Sequence, residues 1–139
     1  MAEPTPPPHG QLRRGADGPI AIVTALPEEL RPLRRRARDL KAEKGNGLRL
    51  WRGLLGRAPV ALACTGDGNR NAEARAATLL DLVRPSALIG AGVAGALSAD
   101  LSPGQIVYGD RIFGPSGEAP AAASDWRERV RALPGATPA

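Results

Sequence analysis

The sequence predicts an α/β fold built around a mixed β-sheet. Continuous apolar runs, typical of strands buried on both faces, alternate with segments whose apolar residues recur at helical spacing. The 139 residues are 42% apolar, which is enough for one core, and the length indicates one domain or a piece of one. Aromatic residues make up only 3%, so aliphatic side chains and alanine must fill that core.

The elements are read from these patterns in chain order. Pro27 and the acids after it suit the first turn of a helix, while Gly56 and Arg57 are typical of a tight hairpin turn. Pro85 ends a second helix. The pattern predicts helices near 28–42, 71–84 and 125–133, a half-exposed strand at 48–55, and buried strands at 19–26, 59–65, 86–92 and 105–112 that are neighbours in one sheet.

The two ends of the chain differ from this middle part. Residues 1–18 are rich in proline and charge, which predicts a disordered leader. Residues 134–139, "PGATPA", predict a frayed tail. We therefore assign the folded domain to residues 19–133.

Composition excludes several classes of protein. One cysteine, Cys64, and one histidine, His9, cannot form a disulfide or a Cys/His zinc site, and Cys64 lies in an apolar run that predicts a buried thiol. The N-terminus lacks the apolar core of a signal peptide, and the longest apolar run, 88–97, is about half of a membrane span. The net charge of +5 comes from arginines spread along the chain. We expect no cofactor, no nucleic-acid or membrane partner, and a cytoplasmic location.

Candidate site residues follow three of the predicted strands. Ligands of such sheets bind at the carboxyl ends of strands, and "PEE" (27–29), "TGDGNRN" (65–71) and "GVAG" (92–95) stand there. Each has a second explanation. "PEE" also suits a helix start, and "GVAG" also suits tight packing. "TGDGNRN" is a weak phosphate turn, because a third glycine is missing and Asp67 would repel an anion.

In combination, these segments resemble a known family. The series "IAIVTALPEEL", "PVALACTGDGNRNAEARAATLL" and "RPSALIGAGVAGALSADLSPGQIVYGDRIF" is similar to the purine nucleoside phosphorylase and uridine phosphorylase superfamily. The likeness is strongest to the methylthioadenosine/S-adenosylhomocysteine nucleosidase branch and covers residues 19–113. It implies a three-layer nucleoside phosphorylase-like fold with a mixed sheet, and a small-molecule nucleoside as ligand.

The resemblance also implies roles for individual residues. Glu29 matches the carboxylate that activates the attacking water in the nucleosidases. Val93, Ala94 and Gly95 match the loop that lies against the nucleoside, where small residues let the backbone approach. Gly66 and Asp67 match the turn near the 5′ substituent. A carboxylate suits this reaction, because it can orient water and offset the charge of an oxocarbenium-like sugar.

Three departures qualify the resemblance. Val93 stands where the phosphorylases carry Ser or Thr, and no arginine lies in its loop, which favours water over phosphate as nucleophile. Asp67 replaces an apolar residue, which disfavours a thioether 5′ substituent. The family's second half supplies a Met-Glu pair for the ribose and a late Ser-Asp element whose Asp protonates the base, and we expect neither in this chain.

The sequence thus predicts an incomplete nucleosidase-type domain that hydrolyses purine nucleosides with impaired activity. A non-catalytic nucleoside-binding remnant and a phosphate-using phosphorylase are the alternatives. A homodimer is compatible with either.

Overall fold

The computed structural model describes residues 17–109, 111–114, 117–118 and 124–138. The predicted leader, except for its last two residues, lies outside these ranges. The chain divides into two compact units, which meet in sequence between Val93 and Ala94. None of the helices in the described ranges is long and apolar enough to cross a membrane.

The first unit is a five-stranded mixed sheet with two helices. The strand order is β2-β3-β4-β1-β5, with β1 parallel to β4 and β5, and with β3 antiparallel to β2 and β4. The elements are β1 (Ile20–Thr24), α1 (Pro27–Arg36), β2 (Arg38–Gly45), β3 (Leu48–Leu55), β4 (Ala58–Cys64), α2 (Asn69–Val83) and β5 (Ala87–Gly90).

The core of this unit lies on both faces of the sheet. Successive residues of a strand point to opposite faces, so Ala21 packs with Leu79 and Val83 of α2, whereas Ile22 packs with Leu30 of α1. The two helices therefore cover opposite faces, which gives the three layers. Burial on both faces explains why β1 and β4 are apolar throughout. The predicted neighbours 19–26, 59–65 and 86–92 are confirmed as β1, β4 and β5. The predicted burial of 86–92 is wrong, because β5 is the last strand of this sheet and its Leu88 is 38% exposed.

The helix predicted near 28–42 is too long. It ends at Arg36, and the charged segment Arg38–Gly45 is instead the edge strand β2, antiparallel to β3. Asn46 and Gly47 have φ of 48° and 77°, the backbone of a tight hairpin turn, and Asn-Gly is a strong signal for such a turn. An ion pair of 2.9 Å between Arg52 Nε and Glu43 Oε2 joins the two strands.

The second unit contains β6 (Ile106–Tyr108), β7 (Phe113–Gly114), β8 (Gly117–Glu118), α3 (Ser124–Arg131) and β9 (Ala136–Pro138). The prediction that residues 105–112 form a fourth core strand of the large sheet is wrong. Among the described residues of this segment, Ile106–Tyr108 alone is a strand, and it pairs in parallel with β9, while β7 pairs with β8. The apolar composition of residues 105–112 indicated burial, yet Ile106 is 50% exposed. The segment expected to fray, 134–139, contains β9.

Gly53 of β3 offers a test of the sheet. A Cβ there would lie 2.6 Å from the carbonyl oxygen of Arg38, beside the irregularity in the β2–β3 register. Because backbone cannot move aside cheaply, Gly53→Ala should lower the free energy of unfolding by about 1–3 kcal/mol. Gly90→Ala in β5 is the matched control, since a Cβ there meets nothing within 4 Å. Urea unfolding measures both, and equal losses would contradict the close approach of β2.

Candidate active site at the carboxyl edge of the sheet

The parallel strands of the first unit end at one edge of the sheet. β1, β4 and β5 end at Thr24, Cys64 and Gly90, so the loops that follow them leave the sheet side by side. Backbone hydrogen bonds continue the pairing past the strand ends. Thr65 N–H donates to the Thr24 carbonyl at 2.8 Å, and Ala91 N–H donates to the Val23 carbonyl at 2.9 Å. All three sequence-predicted loops therefore begin at this edge.

The first loop leads directly into α1. Leu26 has the extended backbone that a residue before proline prefers, and Pro27 occupies the start of the helix, where a missing N–H costs nothing. Leucine has no side-chain acceptor for the free N–H groups of the first turn. The Glu29 carboxylate supplies the reciprocal half of the cap, because its Oε2 accepts from Leu26 N–H at 3.0 Å. The buried Thr24 hydroxyl donates to the Leu26 carbonyl at 2.9 Å.

Glu29 also holds the loop that follows β5. Its Oε1 accepts from the backbone N–H of Val93 at 3.0 Å, across 64 positions of sequence. A Cβ on Gly92 would lie 2.9 Å from the same oxygen, so a larger residue there would have to displace the carboxylate. Gly92 was not among the site residues predicted from the sequence. The run of small residues after β5 was the available signal, but it did not distinguish Gly92 from its neighbours.

These contacts determine the charge of Glu29. The N–H group of Val93 lowers the pKa of its carboxyl most from the ordinary value of 4.5, followed by that of Leu26, while burial raises the pKa and Ala25 N–H lowers it slightly. Glu29 is therefore a carboxylate at neutral pH. A carboxylate has about four acceptor positions, so the hydrogen bonds from Leu26 and Val93 leave room for another donor. This arrangement suits a group that orients water or offsets positive charge, and not one that donates a proton.

The other predicted residues lie apart from this contact. The Val93 side chain is 85% exposed, and only its backbone meets Glu29. Gly66 has φ of 80°, which favours glycine, and the Asp67 carboxylate accepts from Gly68 N–H at 2.9 Å within its own turn. Both stand at the same edge as Glu29, because they follow β4. Ala94 and Gly95 belong to the second unit.

Two other expectations concern residues elsewhere. Cys64 is half-buried, and its thiol donates to the Ala25 carbonyl at 3.0 Å, so it is not the fully buried thiol predicted from its apolar run. The expectation that no Ser-Asp pair follows Phe113 is wrong, since Ser124 and Asp125 begin α3. The sequence contains a single methionine, Met1, and so no Met-Glu pair in its later part. Within the described ranges, no three His, Cys, Asp or Glu residues are grouped to hold a metal ion.

The lowered pKa predicts how stability changes with pH. A carboxyl whose pKa is lowered by folding stabilises the protein above its unfolded pKa, near 4.5, and loses that effect as the pH falls through the lowered folded value. Replacement by glutamine removes this titration. The stability difference between the wild type and Glu29→Gln should therefore shrink as the pH falls below 4.5. Urea unfolding over a pH series measures it, with Glu28→Gln, an exposed neighbour, as control. A difference independent of pH would contradict the hydrogen-bonded carboxylate.

Comparison with known proteins agrees with the fold and the order of these segments. A model of the Phosphorylase superfamily matches residues 19–137. The 5′-methylthioadenosine/S-adenosylhomocysteine nucleosidase of Hydrogenovibrio crunogenus is 33% identical over 93 residues, and that of Maridesulfovibrio salexigens is 34% identical over 93 residues. Each match covers 67% of this chain and 40% of the relative. The chain thus spans about two fifths of the length of these curated relatives.

Solved structures give the same result. The nucleosidase of Colwellia psychrerythraea in complex with adenine superposes with a TM-score of 0.64 at 26% identity, covering 68% of this chain and 39% of that one. The Streptococcus pneumoniae nucleosidase with 8-aminoadenine gives 0.63 at 28% identity, covering 67% and 41%. A second structure from S. pneumoniae, with a transition-state inhibitor, covers 86% of this chain and 61% of that one, with a TM-score of 0.74 at 20% identity, and supports the fold alone. Since the family model spans nearly all of the described sequence, this chain belongs to the phosphorylase superfamily.

Proposed function

We propose that this chain carries the water-activating part of a site that hydrolyses the N-glycosidic bond of a purine nucleoside. The observation that carries the proposal is the Glu29 carboxylate, held at the carboxyl edge of the sheet by backbone N–H groups from two loops. The relatives support the reaction class, because those named above are methylthioadenosine/S-adenosylhomocysteine nucleosidases. Structures of two such enzymes with adenine and 8-aminoadenine support a purine as the base.

The chemistry of the bond fits a fixed carboxylate. As the bond between C1′ of the sugar and the base nitrogen lengthens, its electrons go to the base and positive charge develops on the sugar. A water oxygen then bonds to C1′ and loses a proton, which the Glu29 carboxylate can accept and pass to solvent. The remaining acceptor position of Glu29 can hold that water, and its negative charge favours the cationic sugar. A different group must protonate the base, because Glu29 is already ionised.

Water is the better nucleophile for this edge than phosphate. Phosphate carries negative charge, and a carboxylate at the point of attack would repel it. The loop from Ala91 to Leu97 contains no arginine to offset that repulsion, and its two large side chains, Val93 and Leu97, are apolar and exposed. Both facts favour hydrolysis over phosphorolysis.

The substrate within the purine nucleosides is the finer part of the proposal. The exposed Asp67 turn lies at the same edge as Glu29, and a carboxylate there suits a polar 5′ substituent better than a thioether. The roles of Gly66, Val93, Ala94 and Gly95 in holding the nucleoside rest on the family resemblance. A cytoplasmic location and a homodimer stay predictions.

A chimera tests the role of Glu29. The 93 matched residues of this chain replace their counterparts in the Hydrogenovibrio crunogenus nucleosidase, and release of adenine from methylthioadenosine and S-adenosylhomocysteine is measured. Glu29→Gln should lower kcat by a factor on the order of 10² or more, a typical contribution of a positioned acid–base group. Glu28→Gln should lower it much less, because adjacent helical residues point about 100° apart. Equal losses from both would contradict the assignment to Glu29.

The 139-residue chain alone gives a second test. An unprotonated purine leaves poorly, and the ionised Glu29 cannot supply the proton. We therefore expect base release well below about 1 s⁻¹, an ordinary enzymatic rate, for methylthioadenosine, S-adenosylhomocysteine and inosine. Added phosphate should not raise it, and acceleration by phosphate would instead support a phosphorylase. Nucleoside binding in equilibrium dialysis without any turnover would favour the non-catalytic binding protein. Rapid turnover would show that another acid in this chain, for which Asp125→Asn is the first variant to examine, protonates the base.

A further inference from the structure

The peptide group between Ala25 and Leu26 is hydrogen-bonded at both ends. Its N–H donates to Glu29 Oε2 at 3.0 Å, and its carbonyl oxygen accepts from the Cys64 thiol at 3.0 Å. Cys64 is the last residue of β4 and is the register partner of Thr24 in β1. The thiol therefore reaches the turn from a neighbouring strand and contacts the peptide that binds the carboxylate.

The preceding peptide group, between Thr24 and Ala25, repeats the arrangement. The Ala25 N–H faces the Glu29 carboxylate and lowers the pKa of its carboxyl, less than the N–H groups of Val93 and Leu26 do. The Thr24 carbonyl at the other end accepts two donors from Thr65, the backbone N–H at 2.8 Å and the side-chain hydroxyl at 3.2 Å. Thr24 and Thr65 are only 2% and 6% exposed, so these bonds are shielded from water. Two consecutive peptides thus link the end of β4 to Glu29.

Such links act on the carboxylate through geometry and through polarisation. A donor on the carbonyl end of a peptide fixes the plane of the peptide and so the direction of its N–H. It also polarises the amide, which strengthens the hydrogen bond made by the N–H end. β1 and β4 are hydrogen-bonded along five residue pairs and provide a rigid base for both links.

We propose that Cys64 and Thr65 are positioning residues for Glu29, which hold the carbonyl ends of the two peptide groups whose N–H ends face its carboxylate. Neither residue touches the reacting atoms in this proposal. Its meaning for catalysis rests on the proposed function, whereas the effect of the two residues on the carboxylate does not. Of the two residues, Thr65 allows the more specific substitution, because its hydroxyl is buried and can be removed without changing the shape of the side chain.

The alternative is that the Thr65 hydroxyl merely satisfies a buried polar group. Thr78 provides the matched control, because its hydroxyl also donates to a backbone carbonyl, that of Ala74, at 3.0 Å, but within α2. Thr65→Val and Thr78→Val each remove one hydroxyl bond of this kind. Only the first removes a bond to a peptide whose N–H faces Glu29. Thr65→Ser restores the hydroxyl, and the pair Cys64→Ala and Cys64→Ser does the same for the second link.

The experiment measures two quantities on each variant. The first is the pKa of the Glu29 carboxyl, followed by carbon-13 NMR in the full chain. Thr65→Val and Cys64→Ala should raise it, Thr65→Ser and Cys64→Ser should return it towards the wild type, and Thr78→Val should leave it unchanged. The second is hydrolysis by the chimera. There we expect kcat to fall about tenfold with little change in KM, part of the ~10² that a 1 Å misplacement of a reacting group costs.

The outcomes separate the two proposals. If the Glu29 pKa in Thr65→Val and Cys64→Ala stays as in Thr78→Val, the positioning role is overturned, whatever the chimera does. If the pKa rises but Glu29→Gln leaves hydrolysis intact, the positioning role stands and the proposed function fails. If Thr65→Val does not fold, the pKa measured in Cys64→Ala and Cys64→Ser decides the matter by the same criterion.

Discussion

The Glu29 carboxylate connects the start of α1 to the loop after β5, and the candidate site depends on that connection. Leu26 brings no side-chain acceptor to the helix start, so the carboxylate is both the cap of α1 and the acceptor for Val93 N–H. A free helix N-terminus leaves four backbone N–H groups to satisfy, and glutamate at this position can reach back to one of them. The same side chain that begins the helix therefore presents a negative charge at the edge of the sheet. The start of α1 and the proposed chemistry thus both require a carboxylate at Glu29.

These hydrogen bonds make Glu29 a weaker base and, at the same time, fix the orientation of its carboxylate. Accepting N–H groups lowers the pKa of Glu29 and so makes it a weaker base. A strong base is not required where the sugar already carries much of the positive charge when water attacks, because such a cation reacts with a weakly activated nucleophile. What the proposed hydrolysis needs is a water held in one direction and a negative charge that is present at neutral pH. A carboxylate bound by backbone N–H groups meets both needs, since those donors are fixed before the substrate arrives.

The parts of the fold that could be predicted are the helices and strands whose pattern of apolar residues reflects the burial of their own side chains. β1 and β4 lie within apolar runs because helices cover both faces of the sheet, and α2 shows its buried stripe at helical spacing. β2 could not be found this way. It is a charged, exposed edge strand, and the spacing of Leu33, Ala37 and Leu40 imitates a helix, so that only Asn46-Gly47 reported the hairpin. Composition likewise could not reveal that β6 pairs with β9, because an apolar run does not specify its partner.

In the candidate site, too, some features follow from the local sequence and others from contacts between residues far apart in sequence. Glu29 could be proposed from family resemblance, but the proposed roles of Cys64 and Thr65 depend on the parallel register of β1 and β4, across 41 positions from Thr24 to Thr65. The run of small residues after β5 combines two explanations, close packing and access for a ligand. At Gly92 a Cβ would enter the space of the Glu29 carboxylate, whereas at Gly90 a Cβ would meet nothing within 4 Å. A side chain at Gly92 would therefore displace the carboxylate from its place, whereas one at Gly90 would not. Small size at Gly90 and Ala91, both exposed, keeps the backbone accessible beside the carboxylate, which is what a ligand approaching Glu29 from this edge requires.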